Sequence, residues 1–247
     1  MFIPFSPYDN DVAVQRHYWF HSEISSYDLS GALTSRSSGV LVTKQDPYTL
    51  DGVLPALKAR GYNVNVLSEL SALCEKYIYC DMPIYRPSFG HHYHKAMFLY
   101  TGPPAPFESP AAFTRQSKTC VGNICTFTFN MTGGAHNIIT FWLYPNVKLL
   151  SWSMDSPPES PFSQLGRPVY VVYYSTATYM EVWSETFTLE LYVPLLLQQV
   201  AVMDVSHSSS KLHHPEDFTT EYQAMLHSMP KHFNIASTLS FRNNYVF

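Results

Sequence analysis

The densest group of chemically capable side chains in this sequence is His91-His92-Tyr93-His94. Imidazoles bind zinc or copper when two or three converge on one centre. On a strand, however, His92 and His94 share a face while His91 points away, and no carboxylate lies close in sequence to complete a ligand set. The run reads first as a polar edge beside a Pro-rich crossing. His213-His214 reads as the turn before a late helix. The carboxylates Asp155, Glu159, Glu181, Glu185 and Glu190 are scattered over turns and strands without the pairing that acid–base work requires. The chain contains no Gly-x-Ser-x-Gly elbow, no His-Glu-x-x-His helix and no Gly-rich phosphate loop. These residues point away from an enzyme; a His-based metal site is the enzymatic alternative.

The four cysteines fall into two close pairs, Cys74 with Cys80 and Cys120 with Cys125. Gly122-Asn123 stands at the tip of a hairpin, so the second pair can face each other across two strands. Four cysteines allow three connectivities, of which local pairing is the economical one. Four buried thiols or a zinc site remain as alternatives, although neither pair has the two-residue gap of a zinc knuckle. Disulfides imply an oxidising compartment. Asn130-Met131-Thr132 is a glycosylation sequon at the end of a strand, in keeping with a lumenal or secreted site. Trp19, Trp142, Trp152 and Trp183 suit either the core of alternating strands or, if exposed, a platform for stacking sugars. Trp152 is expected to be a central core residue, sharing a strand face with Leu150 and plugging the end of a sandwich.

The elements that position these residues are mostly strands. Val12 to Phe20 and Gly39 to Thr43 read as two strands, and Thr49 to Cys74 as helical, with Leu50, Val53, Leu54, Leu57 and then Val66, Leu67, Leu70, Leu73 at helical spacing. Gly61 is expected to end the first helix. From Cys120 onward the pattern is β: Cys125 to Asn130, Asn137 to Tyr144, Val147 to Ser153, Pro168 to Tyr174, Glu185 to Val193 and Leu197 to Val205. A late helix is expected over Pro215 to Ser228, and a last strand over Ile235 to Phe247. The expected fold is mainly β: an antiparallel sandwich, jelly-roll-like, with two or three peripheral helices. It is read as one domain over residues 1–247, with a mixed α/β portion at 1–105 and a β core at 106–247.

Composition agrees. The 247 residues are 46% hydrophobic and 15% aromatic but only 14% charged. Disorder is excluded, because disordered chains are rich in charge and poor in aromatics. A net charge of -4 with 15 Lys+Arg argues against nucleic-acid partners. The start, Met1 to Pro7, lacks the regions of a signal peptide. The stretch Thr186 to Val205 is interrupted by Glu190, Pro194, Gln198, Gln199 and Asp204, so no membrane span is expected.

Several segments together resemble one family. Cys74 to Cys80 followed by Met82-Pro83-Ile84-Tyr85-Arg86-Pro87 resembles the Cys-pair and Pro-x-Tyr-x-Pro stretch in the C-terminal region of endoplasmic reticulum metallopeptidase 1. Thr132-Gly133-Gly134-Ala135-His136 is similar to that family's Thr-Gly-Pro-Ser-His, Leu150 to Ser153 to its Leu-Ser-x-Trp-Ser, Tyr170 to Ser175 to its Tyr-Phe-Val-x-Tyr-Ser, and Asn243 to Phe247 to its terminus. The segments are colinear from about Val12 to Phe247. The resemblance implies a lumenal C-terminal domain that follows membrane helices and a zinc peptidase domain, neither of which this chain contains. It implies no catalytic residue, no cofactor here (zinc belongs to the peptidase domain), and as partners the peptidase and transmembrane portions of a parent protein or other lumenal proteins. The implied function is a non-catalytic accessory domain at the endoplasmic reticulum; a carbohydrate- or glycoprotein-binding module is the alternative.

Overall fold

The structure, a computed structural model, describes residues 14–46, 50–63, 65–68, 70–84, 93, 95–106, 111–154, 162–175, 183–212 and 215–247. Its elements in chain order are strands β1 (Gln15–Tyr27) and β2 (Leu33–Lys44), helix α1 (Val53–Ala59), β3 (Asn65–Ser68), the single turn α2 (Ser71–Cys74), β4 (Met97–Tyr100), β5 (Ala112–Val121), β6 (Ile124–Gly133), β7 (His136–Leu143), β8 (Lys148–Trp152), β9 (Phe162–Gln164), β10 (Arg167–Ser175), β11 (Trp183–Tyr192), β12 (Met203–Leu212), α3 (Thr220–Ser228) and β13 (Phe233–Val246). Among the described residues they form a nine-stranded sheet, ordered β3-β4-β2-β1-β13-β12-β7-β10-β9, and a four-stranded sheet, β5-β6-β11-β8. Every pairing is antiparallel except β1 with β13, which run parallel in register from Gln15↔Phe233 to Ser26↔Asn244. The fold is therefore a mainly β sandwich of unequal sheets, unlike the two equal antiparallel sheets of a jelly roll. The parallel pair joins the N-terminal and C-terminal parts of the chain in one sheet.

Alternation explains the sandwich. In β6, Cys125, Phe127, Phe129 and Met131 are buried, while Thr126, Thr128, Asn130 and Thr132 lie on the other face. Across the ladder Phe129 meets Phe187, Phe127 meets Leu189 and Cys125 meets Leu191, so the same face of β11 is apolar. This face closes on Ile139, Phe141 and Leu143 of β7 and on Val205 of β12. Further along the same side of the large sheet, α1 and α3 cover Trp19, Val40, Val42 and Leu239 with Val53, Leu57, Tyr222 and Met225. The opposite side is covered by Leu70, just before α2, and by the segment after α2: Leu70, Cys80, Met82, Ile84 and Tyr93 pack on Phe20, Ile24, Leu41, Phe98 and Ile138.

Three expected elements differ. Val66 and Leu67 belong to strand β3, not a helix: β4 offers a free edge, and Val66 pairs with Leu99 and Leu67 with Phe98. A short apolar run satisfies either period, and tertiary pairing decides it. The strand expected over Leu197 to Val205 begins only at Met203, because Leu195–Leu197 form a single 3-10 turn after Pro194. It runs on through His207, Ser208, Ser209 and Ser210, a polar run with no apolar alternation to announce it. The late helix starts at Thr220, capped by Thr219, whose hydroxyl accepts from the Tyr222 amide; Pro215–Asp217 form a separate 3-10 turn. Gly61, at φ +83°, follows α1 as expected.

The polar run creates a buried histidine. His207 Nε2 lies 3.0 Å from Asn137 Oδ1, and Asn137 Nδ2 donates to the Gly134 carbonyl, so the ring is the neutral Nε2-H form. Burial lowers the His207 pKa from 6.5 to about 4, and burial does the same to His17. Above about pH 6.5 both folded and unfolded forms are neutral and the full stability is present. As pH falls from 6.5 toward 4, the unfolded chain takes up protons that the fold excludes, and stability is lost. For His207 the loss between about pH 7 and about pH 5 should be on the order of 1–2 kcal/mol. Thermal midpoints across that range should fall, and less so in His207→Gln.

Candidate functional site

A cleft of about 620 Å³ opens on the side of the large sheet away from the small one, beside the segment after α2, whose Ile78 packs on Trp142 of β7 and Val169 of β10. Its floor is strand backbone with Thr140, Asp204, Ser206, Arg242 and Asn244 upward; its rim carries Tyr27, Asp28, Tyr77 and Asp81. Two guanidinium groups organise it. Arg242 is 3% exposed; its Nη1 donates to the Met82 carbonyl at 3.0 Å, Nη2 to Ile78 at 3.4 Å and Nε to Asn244 Oδ1 at 3.0 Å, with Asp81 Oδ1 3.4 Å away. Burial lowers its pKa, opposed by the nearby Asp81 charge. Arg167 pairs with Asp204 at 2.7 Å, donates to the Leu143 and Trp142 carbonyls, and lies over the Trp142 and Tyr144 rings at 3.8 and 4.1 Å. Such stacking fixes a planar cation on aromatic faces.

Asp81 reaches the rim through an unusual backbone. Tyr79, Cys80 and Asp81 all have positive φ, at 51°, 56° and 57°. Non-glycine residues hold this conformation only where their surroundings impose it. Here the surroundings are the Cys74–Cys80 disulfide, the Arg242 bonds on either side, and Asn244 Nδ2 donating to Asp81 Oδ1 at 2.9 Å.

Both local cysteine pairs are bonded, and no cysteine is free. Cys120 and Cys125 sit directly opposite each other in the β5–β6 hairpin, as the Gly122-Asn123 tip suggested. Cys74 and Cys80 are six positions apart in sequence, and a loop of this size is worth about 2 kcal/mol through the restricted unfolded chain. Replacing both by Ala should lower the urea midpoint accordingly.

Asn130 stands within β6 rather than at its end, on the outward side and between Thr114 and Thr186 of its neighbours. Trp152 is half-buried against the sandwich core, edge-on to Tyr170 at 6.3 Å. The expected partnership with Leu150 fails: Leu189 faces Trp152 and Leu191 faces Leu149, so Leu150 is an inserted bulge residue, 46% exposed. Trp19 is buried, and Trp142 lies beneath Arg167 with its Nε1 donating to Gln164, so neither presents an open ring. Glu190 accepts from Ser151 on the surface. His91, His92, His94, His213, His214, Asp155, Glu159, Glu181 and the side chain of Trp183 lie outside the described residues. Among the described residues no three His, Cys, Asp or Glu side chains gather as metal ligands do. The cleft residues Arg167, Asp204, Arg242 and Asp81 are far apart in sequence; the one local signal is a lone Arg242 inside an otherwise uncharged strand.

The fold and cleft define a β-sandwich domain with a polar, aromatic-lined cleft beside a disulfide-held turn. The family model of the endoplasmic reticulum metallopeptidase 1 C-terminal domain matches residues 12–245, and the chain belongs to that family. No curated protein matches. Among solved structures, the yeast delta-COP-I mu-homology domain aligns over 98% of this chain and 99% of that one at 9% identity and a TM-score of 0.40. The same domain complexed with a Dsl1 WxWxV peptide aligns over the same shares at 0.39. TM-scores of this size carry no inference about function.

Proposed function

We propose that this chain is a non-catalytic accessory domain standing on the lumenal side of the endoplasmic reticulum membrane. The observation that carries the reading is the pair of disulfides inside a domain of this family, since such bonds persist in oxidising compartments. Its partners are the peptidase and transmembrane portions of a parent protein, or other lumenal proteins, and it needs no cofactor of its own. Among the described residues no helix is long and apolar enough to cross a membrane. The test is to express the chain within its parent protein in cells and digest it with an endoglycosidase. A mobility shift that disappears in Asn130→Gln supports lumenal exposure; a chain with reduced, alkylatable cysteines and no shift overturns it. Zinc-dependent peptide hydrolysis by the purified chain, abolished by a substitution in its own residues, would overturn the non-catalytic part.

A further inference from the structure

We propose that the cleft flanked by the Tyr77–Asp81 turn is a binding site for a neutral saccharide. The cations of the cleft are already matched: Arg167 pairs with Asp204, and Arg242 with Asp81, while the Asp28 carboxylate at the rim accepts from the Ser30 hydroxyl and the Ser30 and Ala32 amides. An anionic ligand would have to break one of these pairs, whereas hydroxyl groups can both donate to the carboxylates and accept from the guanidinium groups. The Thr140 hydroxyl is 2% exposed, lines the cleft and has no protein partner. Buried hydroxyls are normally hydrogen-bonded, so an unpartnered one on a cleft-lining residue marks a place where a ligand oxygen would complete the network. Arg167, which also lines the cleft, uses Nε and Nη2 within the protein, and Nη1 is not used there. At the rim the Tyr77 ring is 45% exposed, while Tyr27 is held by stacking on Tyr245 at 5.0 Å. An aromatic face beside fixed donors and acceptors suits the apolar face and hydroxyl edge of a sugar ring.

A peptide suits the cleft less well. Extended peptides add to exposed sheet edges through main-chain bonds. The strands beneath this cleft, β1, β13, β12, β7 and β10, are interior to the sheet, with their backbone groups already paired on both sides.

This inference does not depend on the lumenal reading. It is tested by titrating the purified, oxidised chain with an oligomannose, a chito-oligosaccharide and a malto-oligosaccharide, using saturation-transfer NMR and calorimetry. A tryptophan-bearing peptide is the comparator. At least one saccharide should bind with a Kd in the range of roughly 0.1–1 mM. Tyr77→Ala should weaken it about tenfold, the upper range for one aromatic contact. Thr140→Val, which removes no bond within the protein, should weaken it several-fold while leaving the thermal midpoint unchanged or higher. Tyr192→Ala, remote from the cleft, should not alter it. Failure of all three saccharides to bind, binding that neither cleft variant weakens, or preferential binding of the peptide would overturn the proposal.

Discussion

Arg242→Met should lower unfolding free energy by about 3–5 kcal/mol, the range for removing one member of a buried, hydrogen-bonded ionic group. Methionine can fill much of the volume, so the loss is polar in origin. It strips the Ile78 and Met82 carbonyls of a charged donor and leaves the Asn244 amide oxygen without its partner. Buried acceptors left unmade account for about 1–3 kcal/mol each. Asp81→Asn removes only the carboxylate, whose side chain is 32% exposed, so its effect should be well under that of Arg242→Met. Urea midpoints of both variants make the comparison. Equal losses would show that the ion pair, not the two carbonyls, holds the left-handed turn; a loss below about 1 kcal/mol for Arg242→Met would show that the disulfide holds it alone.

The same residue marks where sequence reasoning ends. A strand such as β6 is legible because alternating apolar residues need no knowledge of their partners, and β7, buried on both faces, is legible as a continuous apolar run. The parallel partnership of β1 and β13 leaves no local trace, and it brings Ile24 beside Arg242 from opposite ends of the chain. The cleft depends on that partnership, on β12, whose serines lack an apolar pattern, and on β7 and β10. Its members are therefore invisible as a group, although each is visible as a residue. The disulfides were legible for the opposite reason: each closes a short loop, and in the hairpin the Gly-Asn tip places Cys120 opposite Cys125. Trp152 lies between these cases. Its inward direction was legible, but Leu150 as its companion was not, because a single inserted residue reverses alternation within one strand.

That bulge sets up the other large effect. Phe129→Ala should cost about 3–5 kcal/mol, and Trp152→Ala distinctly less although tryptophan is the larger side chain. Phe129 is fully buried in the middle of the sandwich, with ring centroids at 4.8 Å from Phe113, 5.5 Å from Phe187 and 5.0 Å from Phe247. These neighbours come from β5, β11 and the chain end after β13, so they cannot collapse together into the space without shifting both sheets, and the cavity persists. Trp152 ends the edge strand β8, partly buried, with its ring edge-on to Tyr170. Water can reach the space it leaves at the sheet edge, so the transfer of its buried part is lost without the full penalty of a persistent cavity. Unfolding midpoints in urea, with the slope checked for two-state behaviour, order the two variants. A larger loss for Trp152→Ala would mean that β8, rather than the central β6–β11 pair, anchors the small sheet to the large one.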